Sequence, residues 1–200
     1  MKVVLADYGA GNLRSVASAL RRAGAAPVAG TRPEEVLAAP LVVIAGVGNG
    51  ASAARELEER GLADALRERA RAERPLLGIC VGMQLLFEEN EEGGRGLGLL
   101  AGRVRRLRAR RVPHMGWNDL TVRPGSALLR GLDGADVYFA HSYACDPARP
   151  GVVAAETDHE GPVVAAVEEG ALAGVQFHPE RSAAAGARLL ANALAWSRSV

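Results

Sequence analysis

A cysteine between two glycines is the residue of this sequence whose surroundings best suit covalent chemistry. Cys80 follows an apolar run in the frame GICVG, residues 78–82. Glycines two positions either side of a nucleophile let the chain turn sharply from a strand into a helix. The helix N-terminus then favours a thiolate. The alternative is that Cys80 is only a small buried apolar residue.

A thiolate nucleophile needs a proton shuttle, and the segment FHPE, residues 177–180, has suitable residue types. Proline biases the residue before it toward an extended backbone, in which positions i and i+2 project to the same side. Glu180 could therefore orient the His178 imidazole and stabilise its charged form, as the third group of a triad. The alternative is a capped helix start in which Glu180 interacts only with the helix dipole.

A glycine-rich loop, Gly46-Val47-Gly48, follows another apolar run. Glycine lets a backbone amide approach a ligand without a side-chain clash. The amides near Val47 and Gly48, with that of Val81, could thus form an oxyanion hole, in which one donor contributes roughly 100- to 1,000-fold to the rate. The alternative is a tight turn before a helix.

The elements that must position these residues follow from the hydrophobic pattern. Strands are predicted at 2–6, 27–29, 40–45 and 75–79, and helices at 13–20, at 51–72 with an interruption at Gly61, and at Met83–Phe87. Apolar strands that alternate with amphipathic helices indicate an α/β fold, with an open, mostly parallel sheet flanked by helices. Reactive groups in such sheets gather beyond the carboxyl ends of the strands, where Cys80 is expected.

The pattern changes after Gly93, where short strands separated by turns should add antiparallel strands, and only the tail, Ser182–Trp196, returns to helix. The runs predicted as strands are 103–107, 119–122, 137–140, 152–156, 163–167 and 172–177. No internal repeat or linker divides the sequence. We therefore expect a single domain over residues 1–200.

Composition argues against several other classes of protein. The net charge of +1 over 200 residues gives no overall reason to expect a nucleic-acid or membrane partner. Cys80 and Cys145 are too few for a disulfide framework and no signal peptide opens the sequence, so the cytoplasm is the expected compartment. The basic run Arg103–Arg111 lacks aromatic residues and is better explained as a solvated edge strand and turn than as a phosphate or nucleic-acid site.

The remaining histidines do not form a metal site in the sequence. His114 and His159 lack the spacing of zinc ligands, and we expect neither a metal nor another cofactor. His141 is the rival of His178 as proton shuttle. No carboxylate lies near it on its own strand, which favours a role in positioning the backbone.

Several motifs together resemble a known family. GICVGMQ and FHPE resemble class I glutamine amidotransferases. The segments DYGAGNLRSV (7–16), GVG (46–48), VPHMGWN (112–118) and YFAHSY (138–143) are similar to glutaminase subunits of imidazole glycerol phosphate synthase. The resemblance covers essentially the full chain and implies a flavodoxin-like layering. It also implies that Cys80 attacks the side-chain amide of L-glutamine to form a thioester, while His178 shuttles protons and Glu180 orients it.

The same resemblance assigns the other expected site residues. The residues that should contact glutamine are Gln84, Glu92, His141, Ser142 and Tyr143. Asn12 and Arg181 should face a partner, the cyclase subunit HisF, a (β/α)8 barrel that receives the ammonia in histidine biosynthesis. The sequence departs from the family pattern at Ala45, where proline is usual, and at Arg181, where lysine is common.

The sequence leaves two other functions as alternatives. One is a glutaminase for a different acceptor, such as pyridoxal phosphate synthase, against which the MGWN and DYGAGN segments argue. The other is a non-catalytic binding protein that keeps the fold. The complete set of cysteine, histidine and glutamate argues against it.

Overall fold

The computed structural model describes residues 1–9 and 12–200, so Ala10 and Gly11 of the DYGAGN segment lie outside the described residues. Its elements in chain order are β1 (Lys2–Ala6), α1 (Leu13–Arg22), β2 (Ala26–Gly30), α2 (Pro33–Ala38), β3 (Leu41–Gly46), α3 (Gly50–Glu59), α4 (Leu62–Arg71), β4 (Leu76–Cys80), α5 (Val81–Gln84), β5 (Phe87–Asn90), β6 (Leu100–Arg106), β7 (His114–Asp119), β8 (Thr121–Val122), β9 (Asp136–His141), β10 (Tyr143–Pro147), β11 (Val153–Asp158), β12 (Pro162–Glu169), β13 (Leu172–Val175) and α6 (Ala183–Trp196).

An eight-stranded sheet forms the centre of the fold, with strand order β2-β1-β3-β4-β13-β12-β11-β8. Its strands run parallel from β2 to β13, and β12, β11 and β8 are added antiparallel. Helices α1 and α6 pack together, as do α2, α3 and α4. The predicted α/β fold with a mostly parallel sheet is therefore confirmed.

The two inner strands, β3 and β4, have the burial that their continuous apolar sequences predicted. Every residue of β3 and of β4 is buried, as continuously apolar strands of a covered parallel sheet should be. The predicted interruption at Gly61 is also confirmed, because this glycine has φ +69° and separates α3 from α4. Within the described residues, no helix combines the length and the apolar character needed to cross a membrane.

A buried arginine ties the helices to the sheet. The Arg69 side chain, on α4, is fully buried. Its guanidinium donates to the carbonyl oxygens of Pro75 at 2.9 Å, Val36 at 3.0 Å and Pro40 at 3.1 Å. These carbonyls lie in α2 and immediately before β3 and β4, so one side chain fixes where both inner strands begin.

Several predictions in the second half were wrong in detail. The helix expected at Met83–Phe87 is the shorter α5, and Phe87 begins β5, because parallel pairing with β6 buries its side chain. The strand expected at 119–122 is divided between β7, which pairs with β9, and β8 of the large sheet. The strand within the basic run is not an edge strand, since β6 lies between β10 and β5 in a separate three-stranded sheet. Long-range pairing of this kind is not encoded in local patterns.

Candidate active site

Cys80 lies at the carboxyl end of β4, between two neighbouring parallel strands. Gly46, the last residue of β3, is directly opposite Cys80, and Val175, the last residue of β13, is opposite Ile79. The glycine-rich loop leaves from one neighbour, and the segment with His178 leaves from the other. Strand order therefore brings three distant parts of the chain to one edge of the sheet, where sites in open α/β sheets form.

The turn at Cys80 has the geometry of a strand-to-helix elbow. Cys80 has φ +54° and ψ −111°, a backbone conformation that costs a non-glycine residue of order 1–3 kcal/mol. The flanking glycines make the turn possible. A Cβ on Gly82 would lie 1.8 Å from the Ile44 carbonyl oxygen, and a Cβ on Gly78 would lie 2.5 Å from the Gly82 carbonyl oxygen. No side chain fits at either position without moving the backbone.

His178 and Glu180 form a buried pair beside the cysteine. The distance from His178 Nδ1 to Glu180 Oε1 is 3.0 Å, and the two side chains are 8% and 3% exposed. His178 has an extended backbone, and Glu180 lies in the short 3-10 turn that Pro179 begins. The carboxylate faces the imidazole, so the helix-start alternative does not account for its position. The backbone N–H of His178 donates to the Tyr138 carbonyl at 2.9 Å, which ties this segment to β9.

The neighbours of His178 determine its charge. Burial by itself lowers the pKa of His178, but hydrogen bonds and charge interactions with Cys80 and Glu180 outweigh burial and raise the pKa to about 10. The imidazole is therefore charged at neutral pH. An imidazolium between a sulfur and a carboxylate already holds the proton that a leaving amine would need.

A cleft of about 440 Å³ opens over Cys80. It is lined by Val47, Gly48, Cys80, Val81, Gln84, Glu92, Arg106, Pro113, Met115, Ala140, His141, Ser142, Tyr143 and His178. Apart from Glu180, which lies behind His178, every residue predicted as catalytic, oxyanion-binding or substrate-binding lines this cleft. Arg106, whose basic run was assigned no role in the site, lines it too.

The predicted oxyanion residues lie on the cleft wall. Val81 is the first residue of α5, where backbone N–H groups have no partner within the helix. On the facing loop Gly48 has φ +86°, and Val47 is 45% exposed. Ala45 lies within β3, where its carbonyl accepts a hydrogen bond from the buried Tyr8 hydroxyl at 3.0 Å. The loop thus leaves an anchored strand.

The polar groups expected to bind substrate are themselves held in place. Gln84 Nε2 donates to the Tyr143 carbonyl at 3.0 Å and to Gln176 Oε1 at 3.1 Å, which uses both of its N–H groups and leaves its oxygen as an acceptor. Glu92 Oε2 accepts a hydrogen bond from the backbone N–H of Gly50 at 2.5 Å, which connects this carboxylate to the start of α3.

His141 is held differently from His178. Its Nδ1 lies 2.8 Å from the Tyr143 carbonyl oxygen, and its Nε2 lies 3.0 Å from His114 Nδ1. Burial lowers the pKa of His141 to about 3, so the ring is neutral at physiological pH. The contact with Tyr143 fixes the backbone of the cleft wall, which favours the positioning role over the proton shuttle.

The two residues predicted to face a partner lie outside the cleft. Asn12 lies at the start of α1, where its side chain makes no capping hydrogen bond, and it lines a separate cavity of about 700 Å³. Arg181 is exposed, with its guanidinium carbon 4.1 Å from the centre of the Tyr138 ring. Tyr138 in turn contacts the exposed Trp117 edge to face, with ring centres 5.9 Å apart.

One buried polar residue of the site was missed in the sequence. Gln176 is fully buried, and its Nε2 donates to Cys80 Sγ at 3.6 Å. Gln176, His178 and Glu180 occupy alternate positions in the chain. The alternation that places His178 and Glu180 on one side of an extended segment extends to Gln176, two residues earlier, and is the signal in the sequence that points to it.

A cysteine at a strand-to-helix elbow, with a histidine–glutamate pair from the neighbouring strand, defines a class of thiol-dependent acyl-transfer sites. The chain belongs to the class I glutamine amidotransferase family, whose sequence pattern it matches over residues 4–195. Two similar proteins are named imidazole glycerol phosphate synthase subunit HisH. That of Rhodospirillum rubrum is 48% identical, with 98% of this chain and 100% of the relative covered. That of Moorella thermoacetica is 47% identical, with 95% of this chain and 92% of the relative covered. A crystal structure described as a glutamine amidotransferase superposes with a TM-score of 0.80 over 98% of both chains at 22% identity, which shows the fold.

Proposed function

We propose that this chain hydrolyses L-glutamine to L-glutamate and ammonia, and supplies the ammonia to the cyclase subunit HisF. There it is used to make imidazole glycerol phosphate and aminoimidazole carboxamide ribonucleotide in histidine biosynthesis. The observation that carries the proposal is the buried His178–Glu180 pair, whose Nδ1 and Oε1 atoms are 3.0 Å apart, with His178 lining the same cleft as Cys80. The whole chain, residues 1–200, acts as one amidotransferase domain in the cytoplasm.

The first half of the reaction forms a thioester. The Cys80 thiolate attacks the side-chain amide carbon of glutamine, a C–S bond forms, and the carbonyl electron pair moves onto the oxygen. Backbone N–H groups of Val81 and of the Val47–Gly48 loop stabilise this oxyanion. His178 then gives its proton to the amide nitrogen, the C–N bond breaks, and ammonia leaves.

The second half releases glutamate. Neutral His178 takes a proton from water as the water oxygen attacks the thioester carbon. The oxyanion forms again at the same donors, the C–S bond breaks, and the thiolate is regenerated beside a charged imidazole. Glu180 stabilises that charge and keeps the ring oriented throughout.

Charge and hydrogen-bonding capacity suit the amino-acid head group of glutamine. The Glu92 carboxylate and the free acceptor oxygen of Gln84 complement the substrate ammonium group. The backbone between Ser142 and Tyr143, held by His141 and Gln84, forms the opposite wall. A substrate fixed there places its side-chain amide toward Cys80.

A partner surface adjoins the cleft. Met115 and Trp117, on β7, are 65% and 52% exposed, and Met115 also lines the cleft. Large exposed apolar side chains rimmed by polar groups are typical of protein interaction sites. We assign this surface, with Tyr138 and Arg181 beside it, to the cyclase subunit, and Asn12 to the margin of the same interface. Docking there would close the cleft and direct ammonia to the acceptor.

The test is substitution of Cys80 in the complex with the cyclase subunit. Cys80→Ala should abolish glutamine-dependent synthesis while synthesis driven by added ammonium salt stays at the wild-type rate, because only the ammonia source has been removed. Cys145→Ala is the matched control, since this second buried thiol lies outside the cleft, and it should retain both activities. Glutamine-dependent synthesis by the Cys80→Ala complex would refute the proposal.

A further inference from the structure

Gln176 makes a hydrogen bond to the sulfur that the proposed triad does not use. It follows β13 directly, its side chain is fully buried, and its Nε2 donates to Cys80 Sγ at 3.6 Å. A buried amide costs free energy unless its polar atoms are bonded, and a leucine of similar size would cost less in an apolar core. The amide therefore needs an explanation other than packing.

The hydrogen bonds around Gln176 determine which end of its amide faces the sulfur. The same Gln84 atom contacts both the Tyr143 carbonyl and the Gln176 amide. A carbonyl can only accept, so this Gln84 atom must be the donor Nε2. The Gln176 atom that meets it must be Oε1. The Nε2 of Gln176 is consequently the atom that points to Cys80, and the backbone N–H of Gln176 is fixed by the Ala165 carbonyl at 2.8 Å.

We propose that Gln176 is a catalytic residue, which donates a hydrogen bond to the Cys80 thiolate and fixes through its oxygen the orientation of Gln84 in the substrate pocket. This inference rests on the proposed glutaminase function. A donor on the sulfur stabilises the thiolate before attack, and it favours expulsion of the thiolate when the thioester is hydrolysed. One buried side chain thus connects the nucleophile to the group that holds the substrate.

The test separates the sulfur contact from substrate binding. The rate of alkylation of Cys80 by iodoacetamide is measured against pH for the full chain carrying Cys145→Ala, alone and with Gln176→Leu or Gln176→Glu, and the adduct is located by mass spectrometry. Loss of a hydrogen bond to a charged group should slow alkylation at neutral pH roughly 10- to 100-fold and move the midpoint of the profile to higher pH. In the complex, kcat for glutamine should fall roughly 10- to 100-fold, in line with the same lost hydrogen bond.

Asn192→Asp is the control for general stability. Asn192 donates to the carbonyl oxygens of Leu128 and Arg130, remote from the cleft, so this variant should leave the alkylation midpoint unchanged. If the leucine variant does not fold, the isosteric glutamate variant decides. An unchanged midpoint in a folded Gln176 variant would overturn the inference. Because iodoacetamide reacts without glutamine, failure of the wild-type complex to use glutamine would instead refute the proposed function, and the midpoint would still report on the sulfur contact.

Discussion

Replacement of Glu180 by glutamine should lower the pKa of His178 and leave the fold intact. The wild-type pKa is about 10, and the hydrogen bond and charge of Glu180 are among the interactions that raise it against the effect of burial. The variant keeps the shape of the side chain and removes the charge. In the wild type, Glu180 Oε2 is buried and has no hydrogen-bond partner in the described part of the chain. In the variant, the NH₂ group or the oxygen of the amide occupies that position.

The size of the change follows from the geometry of the pair. A hydrogen bond to a charged group is worth about 1.5–3 kcal/mol, and one pKa unit corresponds to about 1.4 kcal/mol. With Nδ1 and Oε1 3.0 Å apart and both side chains buried, the pKa of His178 should fall by about 1–2 units. The pKa of His178 in the folded state lies above its value of about 6.5 in the unfolded state. The stabilisation of the folded state by charged His178 is therefore complete below about pH 6.5, and it is lost as pH rises through the folded-state pKa.

NMR titration of the His178 ring carbons in the full chain, with the assignment checked by substitution of His178, measures the pKa directly. Unfolding by urea from pH 6 to 11 gives the linked stability. As pH rises, the Glu180→Gln variant should lose the pH-dependent part of its free energy of unfolding about 1–2 pH units below the wild type. The free energies of unfolding of the two proteins should converge at high pH. Glu169→Gln, which removes a partly exposed carboxylate paired with Arg149, is the matched control and should change neither measurement. An unchanged titration of His178 in the Glu180 variant would refute the proposed role of this carboxylate.

Three further changes test other features of the structure. Gly82→Ala should destabilise the fold by at least about 1–3 kcal/mol in urea unfolding, because its Cβ would meet the Ile44 carbonyl; wild-type stability would contradict the elbow geometry. Arg69→Met should lower the free energy of unfolding by roughly 3 kcal/mol or more, since it removes the donors to three backbone carbonyls, among them the buried carbonyl of Val36, and a loss below 1 kcal/mol would argue against this anchoring role. Trp117→Ser should weaken binding of the cyclase subunit by about 30-fold or more in calorimetry, with unchanged alkylation of the cysteine by iodoacetamide; unchanged affinity would place the partner elsewhere.

Prediction from sequence worked best for features that are determined by residues within one short segment of the chain. The continuous apolar runs of β3 and β4 predicted buried parallel strands, and Gly61 predicted the break between α3 and α4. The glycines around Cys80 predicted the sharp turn. For Gly78 the requirement for glycine arises close in the chain, from Gly82, whereas for Gly82 it arises from the distant Ile44 carbonyl. The alternation of His178 and Glu180 predicted their pairing because both residues lie in one short segment.

Prediction failed where a contact joins segments far apart. The short helix α5 and the strand that starts at Phe87 depend on β6, which supplies the pairing partner. Gln176 was not recognised because its role depends on its hydrogen bonds with Cys80, 96 positions earlier in the chain, and with Gln84. The one local signal is its alternation with His178 and Glu180, which gives the side of the chain but not the contact with the sulfur.

The amino-acid sequence by itself determined the elements next to the reactive groups and the chemical identity of those groups, since backbone propensity and glycine sterics act over a few residues. Only the tertiary structure decided that β13 lies beside β4, which brings His178 and Gln176 to the sulfur of Cys80. Strand order depends on which buried faces and backbone hydrogen bonds are satisfied across the whole sheet. It is also the tertiary structure that buries the pair of His178 and Glu180, and with it sets the charge of the imidazole.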